Sequence, residues 1–200
     1  MSKNFLEINN VTFAIGGKNK VNDVNISIAN EGDTICILGP SGIGKTTMLR
    51  TIAGLEKIKQ GEIILKDKVI SSNKIHVEPE KRNIALSFQE NSLFPHYTVD
   101  KNIHLGIKKN SPNNKNINSK EIIKILNIEN ILNKYPHQIS AGEAQRASLA
   151  RSLISQPDLL LLDEPLSNVD QSFKEDIQVA LKQLLNKNKI TTIVVTHDSY

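Results

Sequence analysis

Two hundred residues, 38% apolar and 23% charged, can bury one sizeable core and are too apolar for a disordered chain. No apolar run reaches the roughly 18–20 residues of a membrane-spanning helix, and Met1 to Asn10 lacks a signal-peptide core, so the expected location is cytoplasmic. A net charge of +4 suits anionic lipid, nucleotide phosphate and nucleic acid alike and selects none of them, while a single cysteine, Cys36, excludes an internal disulfide.

In chain order, Phe5-Leu6-Glu7-Ile8 and Val24 to Ile28 alternate with period two and predict strands, with turns at Gly16-Gly17 and Asn22-Asp23. Thr34 to Leu38 is short and apolar, the pattern of a buried parallel strand in which Cys36 is a small buried hydrophobe. A glycine-rich turn follows, then a helix over 46–55 with Met48, Leu49, Ile52 and Ala53 on one face and Gly54 as its stop. Glu62 to Leu65 and Ile84 to Phe88 predict strands. The Asn- and Lys-rich stretch from Lys108 to Lys120 predicts a mobile surface loop, and Ser119 an N-cap for a helix over 120–127. Beyond it the patterns predict a helix from Ser140 to about Ser155, a strand at Leu159 to Leu162, a helix over 177–185 and a strand from Ile190 to Thr196. Strands alternating with helices imply a parallel sheet with ligands beyond the strands' carboxyl ends.

The chemistry lies there. Gly39-Pro40-Ser41-Gly42-Ile43-Gly44-Lys45-Thr46 fits G-x-x-x-x-G-K-[ST] between a strand and a helix. Glycines let successive backbone N–H groups turn inward around a phosphate, and the helix N-terminus adds partial positive charge. Lys45 is expected on the β- and γ-phosphates and the Thr46 hydroxyl on Mg²⁺. Four leucines then deliver Asp163 and Glu164, adjacent acids that point in different directions at a strand end. Asp163 is expected to hold Mg²⁺ through water and Glu164 to polarise the attacking water.

Ile139-Ser140-Ala141-Gly142-Glu143-Ala144-Gln145-Arg146 resembles the signature of ABC transporter ATPases, L-S-G-G-Q with its Q-R continuation. Gln89 resembles the family's Q-loop, Ser167-Asn168-Val169-Asp170 its D-loop and His197 its switch histidine. Glu78 to Arg82, Leu93 to Val99 and Tyr135-Pro136-His137-Gln138 look like subunits that import sugars, polyamines, sulfate, thiamine or ferric iron; singly, Phe94, Tyr97, His96 and His137 read as structural.

The resemblance implies an α/β fold of the P-loop NTPase kind: a mainly parallel central sheet, an N-terminal antiparallel β subdomain and an inserted α-helical subdomain. It implies one ABC ATPase domain over 1–200, with 1–88 and 156–200 as nucleotide-binding core and 89–155 as helical and signature subdomain. It implies ATP and Mg²⁺, catalytic roles for Glu164, Gln89 and His197, and Mg²⁺ ligation by Thr46, Asp163 and Gln89. Nucleotide contacts would come from Gly39, Pro40, Ser41, Gly42, Ile43, Gly44, Lys45, Thr46, Thr47 and Ile15, and across a head-to-tail dimer from Ser140, Gly142 and Asp170. The implied partners are a second nucleotide-binding subunit, permease subunits docking around Gln89 to Val99 and, indirectly, a solute-binding protein; no nucleic acid is expected. The implied place is the cytoplasmic face of the membrane, as the ATP-hydrolysing subunit of a solute importer. The alternative is a catalytically weak or non-transport ABC ATPase.

The chain departs from the pattern in places. Ala141 and Glu143 replace a glycine and a glutamine, and Ser140 with Glu143 also forms the capping box S-x-x-E. A carboxylate about 7 Å from a phosphate at an effective dielectric of ~20 repels it by roughly 2 kcal/mol before screening, unless Glu143 turns back into its cap. The family's adenine-stacking aromatic aligns with Ile15, so adenine packs either on that aliphatic chain or on Phe13 after a small shift, and GTP is expected to compete. The chain ends at Tyr200, where relatives continue with further strands and a helix; the closing strands are expected to be missing and stability reduced.

Overall fold

A computed structural model describes residues 4–16, 19–87, 93–105, 107 and 118–196. Two four-stranded sheets organise them. The strands are β1 (Leu6–Ile15), β2 (Asn19–Ile28), β3 (Thr34–Leu38), β4 (Gln60–Leu65), β5 (Lys68–Ser71), β6 (Ile84–Ser87), β7 (Leu159–Asp163) and β8 (Thr191–Thr196). The helices are α1 (Lys45–Ala53), α2 (Val99–His104), α3 (Ser119–Ile125), α4 (Ala141–Ile154) and α5 (Gln171–Lys187). The first sheet, β2-β1-β4-β5, is antiparallel, and the second, β3-β8-β7-β6, is parallel.

β7 sits inside the parallel sheet and is buried at all five residues. Leu159 and Leu161 face a core shared with α1 and the antiparallel sheet, while Leu160 and Leu162 face a second core built from α2 to α5. A strand buried on both faces has no polar side to alternate with, which explains the unbroken leucine run. Each such leucine contributes about 2 kcal/mol of burial.

Several expectations need correction. Asn22-Asp23 makes no turn: β2 runs through it, with Asp23 at φ 53° opposite an irregular stretch of β1 that holds Asn10 at φ 49°. There the Asn25 side chain accepts from the Asn10 N–H and donates to the Asp23 carbonyl, bridging the bulge. β3 is not wholly buried, because it forms an edge of the described sheet. Ile35 and Ile37 pack into the first core, while Thr34, Cys36 and Leu38 alternate to the other face and are exposed. Asn118 rather than Ser119 caps α3, its side chain accepting from the Lys120 N–H. β5 and α2 had no clear periodicity to announce them. α2 is held by Thr98 as N-cap and by Asn102, fully buried, whose side chain bonds the backbone of Phe94, Tyr97 and Thr98. Of the loop expected over 108–120, residues 108–117 lie outside the described residues, while Ser119 and Lys120 already belong to α3.

Candidate functional site

β8 lies between β3 and β7 and sets their ends level: Leu38 pairs with Thr196, and Asp163 with Val195. The glycine-rich turn leaving β3 and the acidic pair leaving β7 therefore emerge at one end of the sheet. They enclose a cavity of about 250 Å³. Ser41, Gly42, Gly44, Lys45, Thr46 and Thr47 line it together with Asp163, Glu164 and Ile15, the last residue of β1.

Gly44 is the N-cap of α1 at φ 106°, in the left-handed region, and no side chain caps that helix start. A methyl at Gly44 would lie 2.7 Å from Ile15 Cδ1 and 3.0 Å from Val21 Cγ2, so the loop is seated directly on the β1–β2 hairpin. Only glycine meets both demands. The Lys45 ammonium donates to the Gly39 carbonyl at 2.5 Å and the Pro40 carbonyl at 2.9 Å, which keeps its charge at the loop's rim. Ile43 points outward and is 56% exposed.

Asp163 is 4% exposed, and Glu164 adopts φ 47°, a strained value for a non-glycine residue. Both residues line the cavity. Phe13 is 2% exposed within the core, which leaves Ile15 as the side chain at the cavity's edge. One cavity thus gathers Ile15, most of the phosphate loop, Asp163 and Glu164. Ser140 and Gly142, at the start of α4, and Asp170, before α5, do not line it. Gln89 and His197 lie outside the described residues.

At the start of α4 the capping box is made. Ser140 N–H donates to Glu143 Oε2 at 2.8 Å, and Glu143 N–H donates to Ser140 Oγ at 3.2 Å. Glu143 therefore does turn back into its cap. The Ser140 backbone N–H, the largest influence, holds its carboxyl below the ordinary 4.5.

Two residues were missed by sequence reasoning. Gln145, inside the Q-R continuation, is buried and bonds the segment after β7. Arg82 is 3% exposed and donates to the carbonyls of Ile52, at the end of α1, and Val77, and to Ser71 Oγ. Desolvation lowers its pKa to about 10, opposed by Glu78, so it stays charged at neutral pH. Its place within the Glu78 to Arg82 stretch was the available signal.

A phosphate loop facing an acidic pair across the carboxyl ends of parallel strands defines a P-loop NTPase fold. Residues 21–167 match the family model described as ABC transporter. An Fe(3+) ions import ATP-binding protein of Fusobacterium nucleatum is 38% identical over 195 residues, covering 96% of this chain and 51% of its own length. A spermidine/putrescine import ATP-binding protein of Haemophilus ducreyi is 39% identical over 198 residues, covering 98% and 52%. A dimeric ATP-binding cassette bound to ADP and Pi superposes with TM-score 0.80 at 30% identity, covering 96% of this chain and 88% of that one. The chain belongs to the ABC transporter ATP-binding family. It spans about half the length of the curated relatives it matches.

Proposed function

We propose that the chain binds ATP with Mg²⁺ in the cavity between the phosphate loop and the acidic pair and hydrolyses it to power solute import. One observation carries the reading: Lys45 and the glycine-rich loop line the same cavity as Asp163 and Glu164. Main-chain N–H groups at the start of α1 cradle the phosphates, and Lys45 exchanges its two loop carbonyls for β- and γ-phosphate oxygens. One hydroxyl, Thr46, and one carboxylate, Asp163, suit Mg²⁺, which favours one or two protein ligands beside phosphate oxygens and supplies charge neutralisation there. Glu164 orients a water and takes its proton as the water oxygen bonds the γ-phosphorus. The bond from that phosphorus to the β–γ bridging oxygen breaks, and its electron pair leaves with ADP. Gln89 and His197 are proposed to assist, and Ile15 to carry the base with little discrimination against GTP.

A second copy, head to tail, would bring Ser140, Gly142 and Asp170 to the far side of the nucleotide. Residues 1–88 and 156–200 then act as nucleotide core and 89–155 as helical subdomain. A groove of about 380 Å³ between β6, Leu105 and the end of α4 favours docking of a permease segment, with the Arg151 guanidinium beside the exposed ring of Phe94. Among the described residues no helix is long and apolar enough to cross a membrane, so attachment at the cytoplasmic face would come through that permease.

Replacing Glu164 by Gln is expected to lower turnover by about 10²–10³-fold while nucleotide still binds, and Lys45→Ala to weaken binding itself. A Glu164→Gln chain with undiminished steady-state phosphate release would refute the hydrolytic assignment. Retention of a permease during purification from membranes tests the transport role, and a chain that never co-purifies with one argues against it.

A further inference from the structure

Gln145 is the fifth residue of α4, 2% exposed, and its side-chain amide reaches across to the segment that follows β7. Its NH₂ donates to the Glu164 carbonyl at 2.9 Å and to Ser167 Oγ at 3.1 Å, and its oxygen accepts from the Asn168 N–H at 3.0 Å. Both amide hydrogens and the carbonyl are therefore committed to residues 19 to 23 positions away in sequence.

A second, independent contact joins the same two segments. Gly142, one helical turn before Gln145, lies so close to Asn168 that a methyl there would overlap the Asn168 carbonyl oxygen. Asn168 thus has its N–H bonded by Gln145 and its C=O pressed against Gly142. Glu164 is pinned in the same way: its N–H donates to the Val195 carbonyl at 2.8 Å and its C=O accepts from Gln145. It holds φ 47° between those two bonds. A strained backbone angle persists only where its surroundings over-determine it. Val195 holds the amide side of that residue and Gln145 the carbonyl side.

We propose that Gln145 is a positioning residue that locks the strained Glu164 backbone to the first turns of α4. Force applied to Ser140–Gly142 by a second copy of this chain is thereby transmitted to the Glu164 carboxylate of the same subunit. The first half is read from geometry alone, and the second rests on the hydrolytic reading of Glu164. Removing the amide breaks its bonds to the Glu164 C=O and the Asn168 N–H, and the strained φ relaxes toward negative values. Misplacement of a reacting group by about 1 Å costs up to roughly 10²-fold in rate. The phosphate-loop wall makes no bond to Gln145, so nucleotide affinity is untouched.

The test uses the full chain with Gln145→Leu, close in volume but unable to hydrogen-bond, and Gln145→Asn, which keeps the amide on a shorter arm. Turnover per bound nucleotide is expected to fall about tenfold to a hundredfold in Gln145→Leu and less in Gln145→Asn, with KM and the affinity for a fluorescent ATP analogue within about twofold. Normalising to bound nucleotide removes any loss of folded protein. Hydrogen exchange at the Asn168 amide is expected to quicken by about tenfold, with residues 44–48 unchanged. Unchanged turnover per bound nucleotide, or a loss confined to KM, overturns the proposal. A wild-type chain that binds nucleotide without ever cleaving it would sink the hydrolytic reading instead. In that case exchange at Asn168 decides whether the lock exists, and identical exchange in wild type and Gln145→Leu overturns it.

Discussion

Two helices, α1 at the proposed site and α4 outside its lining, begin differently. α1 starts on Gly44 in the left-handed region with no side chain capping it, and its first residues, Lys45, Thr46 and Thr47, line the cavity. α4 starts on Ser140, where the hydroxyl and the Glu143 carboxylate satisfy the helix start reciprocally. Four orphan donors at a helix N-terminus seek partners either within the chain or in a ligand. In the proposed function the first helix offers them to phosphate. The second brings its own anion, which leaves less positive potential for any phosphate a second copy presents. The same backbone dipole is thus left open at the start of α1 and largely answered at the start of α4.

An uncapped start needs anchoring elsewhere, and α1 is anchored at its far end. Arg82 donates to the Ile52 carbonyl at 2.9 Å, the Val77 carbonyl at 2.7 Å and Ser71 Oγ at 2.8 Å, with His76 Nδ1 at 3.4 Å. A buried cation at the helix C-terminus also complements the dipole that the open N-terminus leaves exposed. Arg82→Met is expected to cost the fold most, about 3–5 kcal/mol, because it strands several buried acceptors. In a thermal melt that is a fall of about 10 °C for a chain this size. Nucleotide binding measured well below the new midpoint should survive; a midpoint within a degree of wild type would show that α1 is not held from behind.

The second way to break the contrast is to close α1's start. Gly44→Ala forces a side chain into φ 106° and against Ile15 and Val21, costing about 2 kcal/mol in backbone strain alone. The methyl displaces the loop whose amides are proposed to bind phosphate, so affinity for an ATP analogue should fall by more than about tenfold. A variant that melts lower yet binds as tightly as wild type would mean the loop tolerates a side-chain-bearing start.

What could be read from the residues follows the same division. Phosphate-loop chemistry is local: glycines, lysine and threonine stand in one octapeptide, and the four leucines ahead of Asp163 announce a strand buried on both faces. Gln145 escaped because its partners lie 19 to 23 residues away, and Arg82 because its link to the end of α1 spans 30 residues, separations that no periodicity reports. Gly142 looked like a nucleotide contact in the signature, and its tight fit against Asn168 is invisible without the fold. Cys36 was misplaced because an apolar pentapeptide looks alike at the centre of a sheet and at its edge, where only Ile35 and Ile37 find a core. The capping box, by contrast, was legible from spacing alone, since both partners sit within one helical turn.

The smallest effect falls on that capping box. Glu143→Ala removes the reciprocal bond to Ser140, and losing a cap of this kind costs about 1 kcal/mol, a few degrees in the melting midpoint. The sign with pH follows from the carboxyl's lowered pKa. Because the folded value lies below the ordinary 4.5, Glu143 stabilises the fold fully above about pH 4.5, and that contribution disappears as pH falls through the folded value. The midpoint gap between wild type and Glu143→Ala should therefore be steady from about pH 8 to about 5 and close on further acidification. At the same time, taking the carboxylate away from the start of α4 makes that helix resemble α1 in its openness to anions. ATP-dependent dimerisation, followed by light scattering at neutral pH, should strengthen even as the fold weakens. If stability drops while dimerisation stays the same, the charge at Glu143 is a structural cap and has no bearing on how a second copy meets the nucleotide.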